Sequence, residues 1–329
     1  MNPLRPLHFR KNGTFRIVQF TDIHWQNDDP ADWLSRDLMQ EILNAEAPDL
    51  VVFTGDIIHS ELCDNPAAAF AHAVSAVSES GTPWAFVFGN HDAEEGITRE
   101  ALMTLSGRLP GCIAQRGPSE CSGVGNYSII IGGSEDCART AAVLYLFDSG
   151  SKAPQDIGGA AWIEQDQIQW YRQQSLRYRT SKNGGAVPSL AFFHIPLPEY
   201  NDLWDFHTCY GTNLEGVGSP RINSGLFHAF WESGDVKGVF AGHDHLNDYW
   251  GYLHGISLCY GRTTGFNAYG RDGLARGARV IELREGDGEF ATWLRLEGGV
   301  LVKEQPLHSP LYSDLALQLK KRLPSSITR

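Results

Sequence analysis

Phe15-Arg16-Ile17-Val18-Gln19-Phe20-Thr21-Asp22-Ile23-His24 is a mostly apolar run that ends in a carboxylate and an imidazole two residues apart. Such a short run suits a strand buried on both faces, and its polar end suits a strand terminus that opens onto a site. The same design recurs four times. Residues 50–53 lead into Gly55-Asp56, 84–88 into Gly89-Asn90-His91-Asp92, 190–193 into His194, and 236–241 into Gly242-His243-Asp244-His245. In open α/β sheets the carboxyl ends of the strands face one crevice, so five clusters remote along the chain are expected to meet there.

Between these runs the periodicity changes. Residues 31–46 and 66–80 read as helices, which gives the β-α-β-α-β order of a layered sheet. Residues 127–131 and 142–147 are strand-like again, and 162–179 reads as a helix carrying Trp162, Ile168, Tyr171 and Leu176 toward the core. Residues 253–260, 278–283 and 290–296 alternate with turn signals such as Glu285-Gly286-Asp287-Gly288, the pattern of an antiparallel meander. Leu311, Leu315, Leu319 and Leu323 predict a docked helix over residues 309–323, with Lys320, Lys321 and Arg322 at its end. The expected fold is α/β, a four-layer α/β/β/α sandwich of two packed mixed sheets flanked by helices. A single domain is expected over residues 1–329, its C-terminal strands and helix running from about 277 to 329.

Composition narrows the function. With 42% hydrophobic and 20% charged residues the chain is an ordinary globular one, neither disordered nor fibrous. A net charge of −12 argues against a long nucleic-acid partner, whose binding draws on Lys and Arg to neutralise phosphates. Bound metal ions would add positive charge that this count omits, so one phosphate group remains a reasonable ligand. Cys63, Cys112, Cys121, Cys137, Cys209 and Cys259 form no C-x-x-C pair and read mostly as buried thiols; a Cys112–Cys121 bridge is open only in an oxidising compartment. The first residues carry His8, Arg10 and Lys11 instead of an apolar core, so no signal peptide is expected and a cytoplasmic location is the default. Apolar runs fall far short of the roughly 20 residues that span a bilayer, so no membrane association is expected.

The donors at the strand ends are carboxylate, imidazole and amide with no thiolate, a set that favours Mn, Fe or Zn. Asp22 and His24, like His243 and His245, are two apart, and alternation along an extended chain puts each pair on one side to grip metal together. Gly55, Gly89 and Gly242 each precede a candidate ligand, where glycine permits a sharp turn and close backbone approach. Asp56 has two oxygens with which to bridge two ions about 4 Å apart, the spacing of two-metal phosphoryl-transfer sites.

The motif order D-x-H, G-D, G-N-H-[DE], H and G-H-x-H, complete between Asp22 and His245, resembles the calcineurin-like metallophosphoesterases. The resemblance implies two divalent or trivalent transition metal ions. Asp22, His24, Asp56 and His245 would hold one, and Asp56, Asn90, His194 and His243 the other. It further implies hydrolysis of a phosphate ester by metal-activated water, with His91 assisting the phosphate and protonating the leaving oxygen and Asp92 orienting His91. The segment from His194 to Tyr200 and the stretch from Tyr260 to Arg271 are similar to purple acid phosphatases and their small relatives. Those enzymes carry a tyrosinate ligand three residues after the G-D aspartate; His59 stands there in this chain, so a strictly ferric centre is not implied. The branch favours a phosphomonoesterase, with a phosphodiesterase acting on small substrates and a non-catalytic scaffold as alternatives. Arg262, Tyr269 and Arg271 are candidates to bind the phosphate or the organic part of a small phosphorylated substrate.

Overall fold

The computed structural model of the protein describes residues 6–179 and 185–310. In chain order these form β1 (Thr14–Phe20), α1 (Pro30–Glu46), β2 (Leu50–Thr54), α2 (Pro66–Ala73), α3 (Ser75–Ser80), β3 (Trp84–Val87), α4 (Arg99–Ser106), β4 (Tyr127–Gly132) and β5 (Thr140–Leu146). There follow α5 (Gln165–Arg177), β6 (Ser189–Phe192), α6 (Glu199–Phe206), β7 (Cys209–Tyr210), α7 (Leu226–Ser233), β8 (Val236–Ala241), β9 (Trp250–Leu253), β10 (Ile256–Tyr260), β11 (Gly277–Arg284), β12 (Phe290–Leu296), β13 (Val300–Val302) and β14 (Leu307–His308).

The strands make two mixed sheets. One runs β13-β12-β11-β1-β2-β3 and the other β14-β7-β9-β10-β8-β6-β5-β4. In the first, β1, β2 and β3 are parallel while β11 to β13 return as an antiparallel meander that keeps the expected strands at 278–283 and 290–296 but not the one at 253–260. In the second, the parallel strands are β5, β6, β8 and β10. Alternation along each strand decides which layer a side chain enters. Phe15, Ile17, Leu50 and Val52 point between the sheets, where they meet Leu144, Leu190, Phe192 and Phe240 of the second sheet. Val18, Phe20, Val51 and Phe53 point the other way, onto Leu38, Met39 and Ile42 of α1 and Leu102 of α4. On the far side, Tyr145, Ala191, Val239 and Leu258 pack against Tyr171 of α5, Tyr200 of α6 and Phe230 of α7. The result is the expected α/β/β/α sandwich, with apolar runs buried on both faces because every central strand is covered twice.

Local signals account for the helix ends. Asp29 caps α1 through the amides of Ala31 and Asp32, Asp32 returns a capping-box bond, and Pro30 occupies the first turn. Three expectations need correction. Residues 66–80 are two helices, broken at Val74 without a glycine or proline to announce it. In α5 the buried face carries Gln167, Ile168, Trp170, Tyr171 and Ser175; Trp162 precedes the helix and Leu176 is exposed, because the stripe through Ile168 and Tyr171 continues to Ser175. The strand expected over 253–260 is β10 together with the last residue of β9; the two fold back on each other at His254-Gly255 and belong to the second sheet, not to the meander. The helix expected over 309–323 lies, from residue 311 onward, outside the described residues. All six cysteines are free, Cys137 exposed and the others at least partly buried. No helix among the described residues is long and apolar enough to cross a membrane.

A buried arginine ties the sheets together. Arg279 on β11 is fully buried and donates to the carbonyls of Tyr260 and Asp248 across the interface, and to Thr292 Oγ1 on its own sheet. Arg279→Met strips those acceptors of their charged donor, and urea unfolding is expected to register a loss of about 3 kcal/mol.

Candidate metal centre

The five polar clusters follow β1, β2, β3, β6 and β8, which belong to two different sheets, and the carboxyl ends of all five meet in one place. Among the described residues, the side chains of Asp22, His24, Asp56 and His245 form one group of potential ligands and Asp56, His194 and His243 another, with ligand atoms within 4.8 Å of one another in each. Asp56 belongs to both. Its Oδ2 lies 3.5 Å from His24 Nε2 and 3.1 Å from His194 Nε2, while its Oδ1 accepts the His91 amide. His24 Nε2 faces His245 Nε2 at 3.1 Å, and the latter lies 3.4 Å from Asp22 Oδ1. His194 Nε2 is 3.1 Å from Asn90 Oδ1 and 3.2 Å from His243 Nδ1. All seven candidate ligands named from the sequence therefore stand around two adjoining points, with Asp56 between them.

The sequence argument for the pairs needs a different physical basis. Both lie beyond their strands, and Asp22, His24 and His243 have positive φ angles of 54°, 52° and 77°. Tight left-handed turns, not the pleat of an extended chain, bring these side chains inward. His243 and His245 also divide between the two groups instead of gripping one point together. Asp56 shares the left-handed backbone, at φ 50°. Gly55 has φ 87°, and a Cβ there would stand 2.6 Å from the Gly89 nitrogen. Gly89 needs no unusual φ; a Cβ there would collide with the Asp56 carboxylate. Arg99 braces the Gly89 turn through that residue's carbonyl and an ion pair with buried Asp148.

Electrostatics make the donors suitable for cations. Burial holds the imidazoles of His24 at about 3 and His243 at about 4, so both keep a free lone pair at neutral pH. Burial alone would push Asp22 and Asp56 up, but the facing histidines outweigh it and hold both carboxylates below their usual range. Burial likewise opposes charge on His194, yet Asp56 raises it to about 9. A proton is thus drawn to the point between His194 and Asp56 where a cation would sit. His194 Nδ1 bonds the Thr54 carbonyl at 2.7 Å, which sets its tautomer and turns Nε2 inward. Two imidazoles facing each other at 3.1 Å beside two carboxylates are a poor arrangement for hydrogen bonds alone and a good one for an ion. The residues present fit two transition metal ions, with nitrogen and oxygen donors that leave manganese, iron and zinc all open.

Beside the two groups lies a cleft of about 370 Å³ lined in part by His24, His59, His91, His245, Asn267 and Tyr269. His91 sits at its edge, as expected, but Asp92 does not orient it. The buried Asp92 carboxylate accepts the amides of Asp56, Ile57, Ile58 and Gly89 at 2.7 to 3.0 Å, and burial followed by the Asp56 charge pushes it up to about 6. Glu94 takes the orienting position instead, its Oε2 2.7 Å from His91 Nδ1. The only signal for it was a carboxylate three residues beyond His91, within reach across one turn.

The substrate candidates separate. Tyr269 stacks on His245 at 3.9 Å and anchors its hydroxyl on Glu215 at 2.5 Å. Arg262 is buried away from the cleft, paired with Asp248 at 2.6 Å and bonded to the Ala275 carbonyl, and Arg271 is exposed outside the cleft lining. Neither arginine is in place to meet a phosphate. Asp244 likewise turns from its flanking histidines to the Gly218 amide and the Tyr260 hydroxyl. Because Asp92 ties the β2 and β3 turns together through four amides, Asp92→Ala is expected to cost about 3 kcal/mol in thermal or urea unfolding with chelator present.

Residues 15–247 match the family described as Calcineurin-like phosphoesterase. A protein of Arabidopsis thaliana named "Probable inactive purple acid phosphatase 29" is 36% identical over 310 residues, covering 84% of this chain and 78% of that protein. "Phosphatase DCR2" of Saccharomyces cerevisiae is 33% identical over 321 residues, 87% of this chain but 54% of that longer protein. A dimetal phosphatase from Danio rerio shares the fold, with a TM-score of 0.61 at 13% identity over 90% of this chain and 98% of the other. With the fold, the family match over residues 15–247 and a relative at 36% identity in agreement, the chain belongs to the calcineurin-like phosphoesterase family.

Proposed function

We propose that this protein is a dinuclear metal-dependent phosphomonoesterase. The observation that carries the reading is the shared carboxylate: Asp56 Oδ2 lies within 3.5 Å of His24 on one side and 3.1 Å of His194 on the other. Asp22, His24, Asp56 and His245 would hold one ion, and Asp56, Asn90, His194 and His243 the second. Two such ions, when bound, supply a water activated near neutral pH and positive charge for the phosphate oxygens. The chain's own groups do the rest. Glu94 accepts from His91 Nδ1, and in the doubly protonated ring Nε2 carries the proton destined for the leaving oxygen. Tyr269, clamped over His245 by Glu215, offers a ring face to the organic part of the substrate.

The preference for monoesters draws support from the relatives, whose names are those of phosphatases. Three plant relatives carry the word inactive in their names, which favours a non-catalytic scaffold as the second reading. Against it, this chain keeps every candidate ligand and the oriented His91.

Turnover of an aryl phosphate and of a bis-aryl phosphate, each with added manganese, zinc or iron and after chelation, tests the proposal. Chelator-sensitive hydrolysis that prefers the monoester is expected. A strong diester preference would make it a phosphodiesterase, and a protein that retains no transition metal would be the scaffold. Asp56→Asn is expected to lose both ions by elemental analysis. His91→Ala should keep its ions and lower kcat by about 10²–10⁴-fold, the usual contribution of a general acid. The loss should shrink for substrates whose leaving group needs no proton.

A further inference from the structure

A second set of donors stands at the mouth of the cleft. His59, His91 and Glu94 present ligand atoms within 4.8 Å of one another, and none of them belongs to the two groups already described. His91 Nδ1 is 2.7 Å and His59 Nε2 3.7 Å from Glu94 Oε2, and the two rings lie 4.4 Å apart. Two imidazoles and a carboxylate with an open fourth position form a familiar zinc donor set. The backbone fixes them in advance: Ser60 Oγ accepts the Glu94 amide at 2.7 Å and donates to the His91 carbonyl at 2.8 Å, locking the two turns that carry the donors. Lys152 lies 3.5 Å from Glu94 Oε1, but its side chain is 78% exposed and free to swing away when a cation arrives.

We propose that His59, His91 and Glu94 form a third cation site, suited to zinc, whose occupation replaces the Nδ1 proton that His91 shares with Glu94 and so prevents the doubly protonated ring that serves as acid. The His24 ring lies 5.2 Å from His91 and 5.5 Å from His59, so a third cation sits close to the ion that His24 would hold and binds more weakly through repulsion. Zinc in excess of two equivalents therefore inhibits. The inhibition rests on the phosphoesterase reading; the binding does not.

Zinc titration of the full chain carrying two tightly held ions, read by competition with a chromophoric chelator and by turnover in the same samples, tests both. The expected result is a third, weaker equivalent whose uptake parallels a fall in turnover. In His59→Asn the third equivalent weakens by more than about 100-fold, beyond the range for a partner that only supports a ligand. In Lys152→Met it tightens several-fold, because the competing cation is gone. Each variant is scored by its own ratio of turnover with and without excess zinc. Saturation at two equivalents overturns the site, as does a third equivalent that neither substitution alters. A third equivalent sensitive to both substitutions, in a protein with no turnover at any zinc level, supports the site and overturns the phosphatase reading.

Discussion

The carboxylate of Asp56 stands between two imidazoles that arrive from different sheets. His24 comes from the turn after β1 in the six-stranded sheet, and His194 from the end of β6 in the eight-stranded one. One oxygen faces both rings, while the other is held by the His91 amide. Every other feature of the centre follows from keeping that oxygen at the seam between the sheets. The inner core of Ile17, Val52, Leu144 and Phe192 sets the distance between the layers, and Arg279 bonds across it. A shift of the sheets by an ångström would open one of the two ligand groups.

Holding so many donors at a seam strains the chain. Four of the seven candidate ligands, Asp22, His24, Asp56 and His243, occupy the left-handed region, at a cost of about 1–2 kcal/mol each for a residue with a Cβ. The compensation is visible nearby. Asp92 gathers four amides of the β2 and β3 turns, the Asp22 carboxylate accepts the His243 amide, and Thr21 bonds Asp22. These bonds keep the turns in place when no cation is there to neutralise Asp22 and Asp56, and they present a ready site to an arriving ion.

The cleft beside the centre is asymmetric. Histidines dominate its lining, with Glu94 behind His91, while Tyr269 and Asn267 complete the wall beside His245. Positive side chains are sparse there: Arg262 is spent on Asp248, and Lys152 stands beside Glu94. A phosphate in this cleft would depend on cations held by the protein, not on arginines, which would reconcile such a ligand with a chain of net charge −12. The same shortage gives weight to the cluster of His59, His91 and Glu94, where carboxylate charge is only loosely balanced.

The amino-acid sequence by itself determined the layered α/β architecture and the seven donors. Apolar runs ending in Asp22, Asp56, Asn90, His194 and His243 carry both messages at once, through burial of the run and polarity of its end. The family resemblance already divides these donors between two ions, and tertiary structure decided how the backbone delivers them. That Asp22, His24 and His243 turn inward through left-handed backbone instead of the pleat of a strand depends on contacts made by the whole fold, although Asp and His accept that backbone more readily than most residues. The exchange of Asp92 for Glu94 as the partner of His91 is also a three-dimensional outcome. Both are carboxylates close to His91 in sequence, and only the position of the Asp56 to Ile58 amides determines which one is consumed in holding the turn. Arg262 and Tyr269 differ for the same reason, since burial against Asp248 removes one from the cleft and stacking on His245 keeps the other in it.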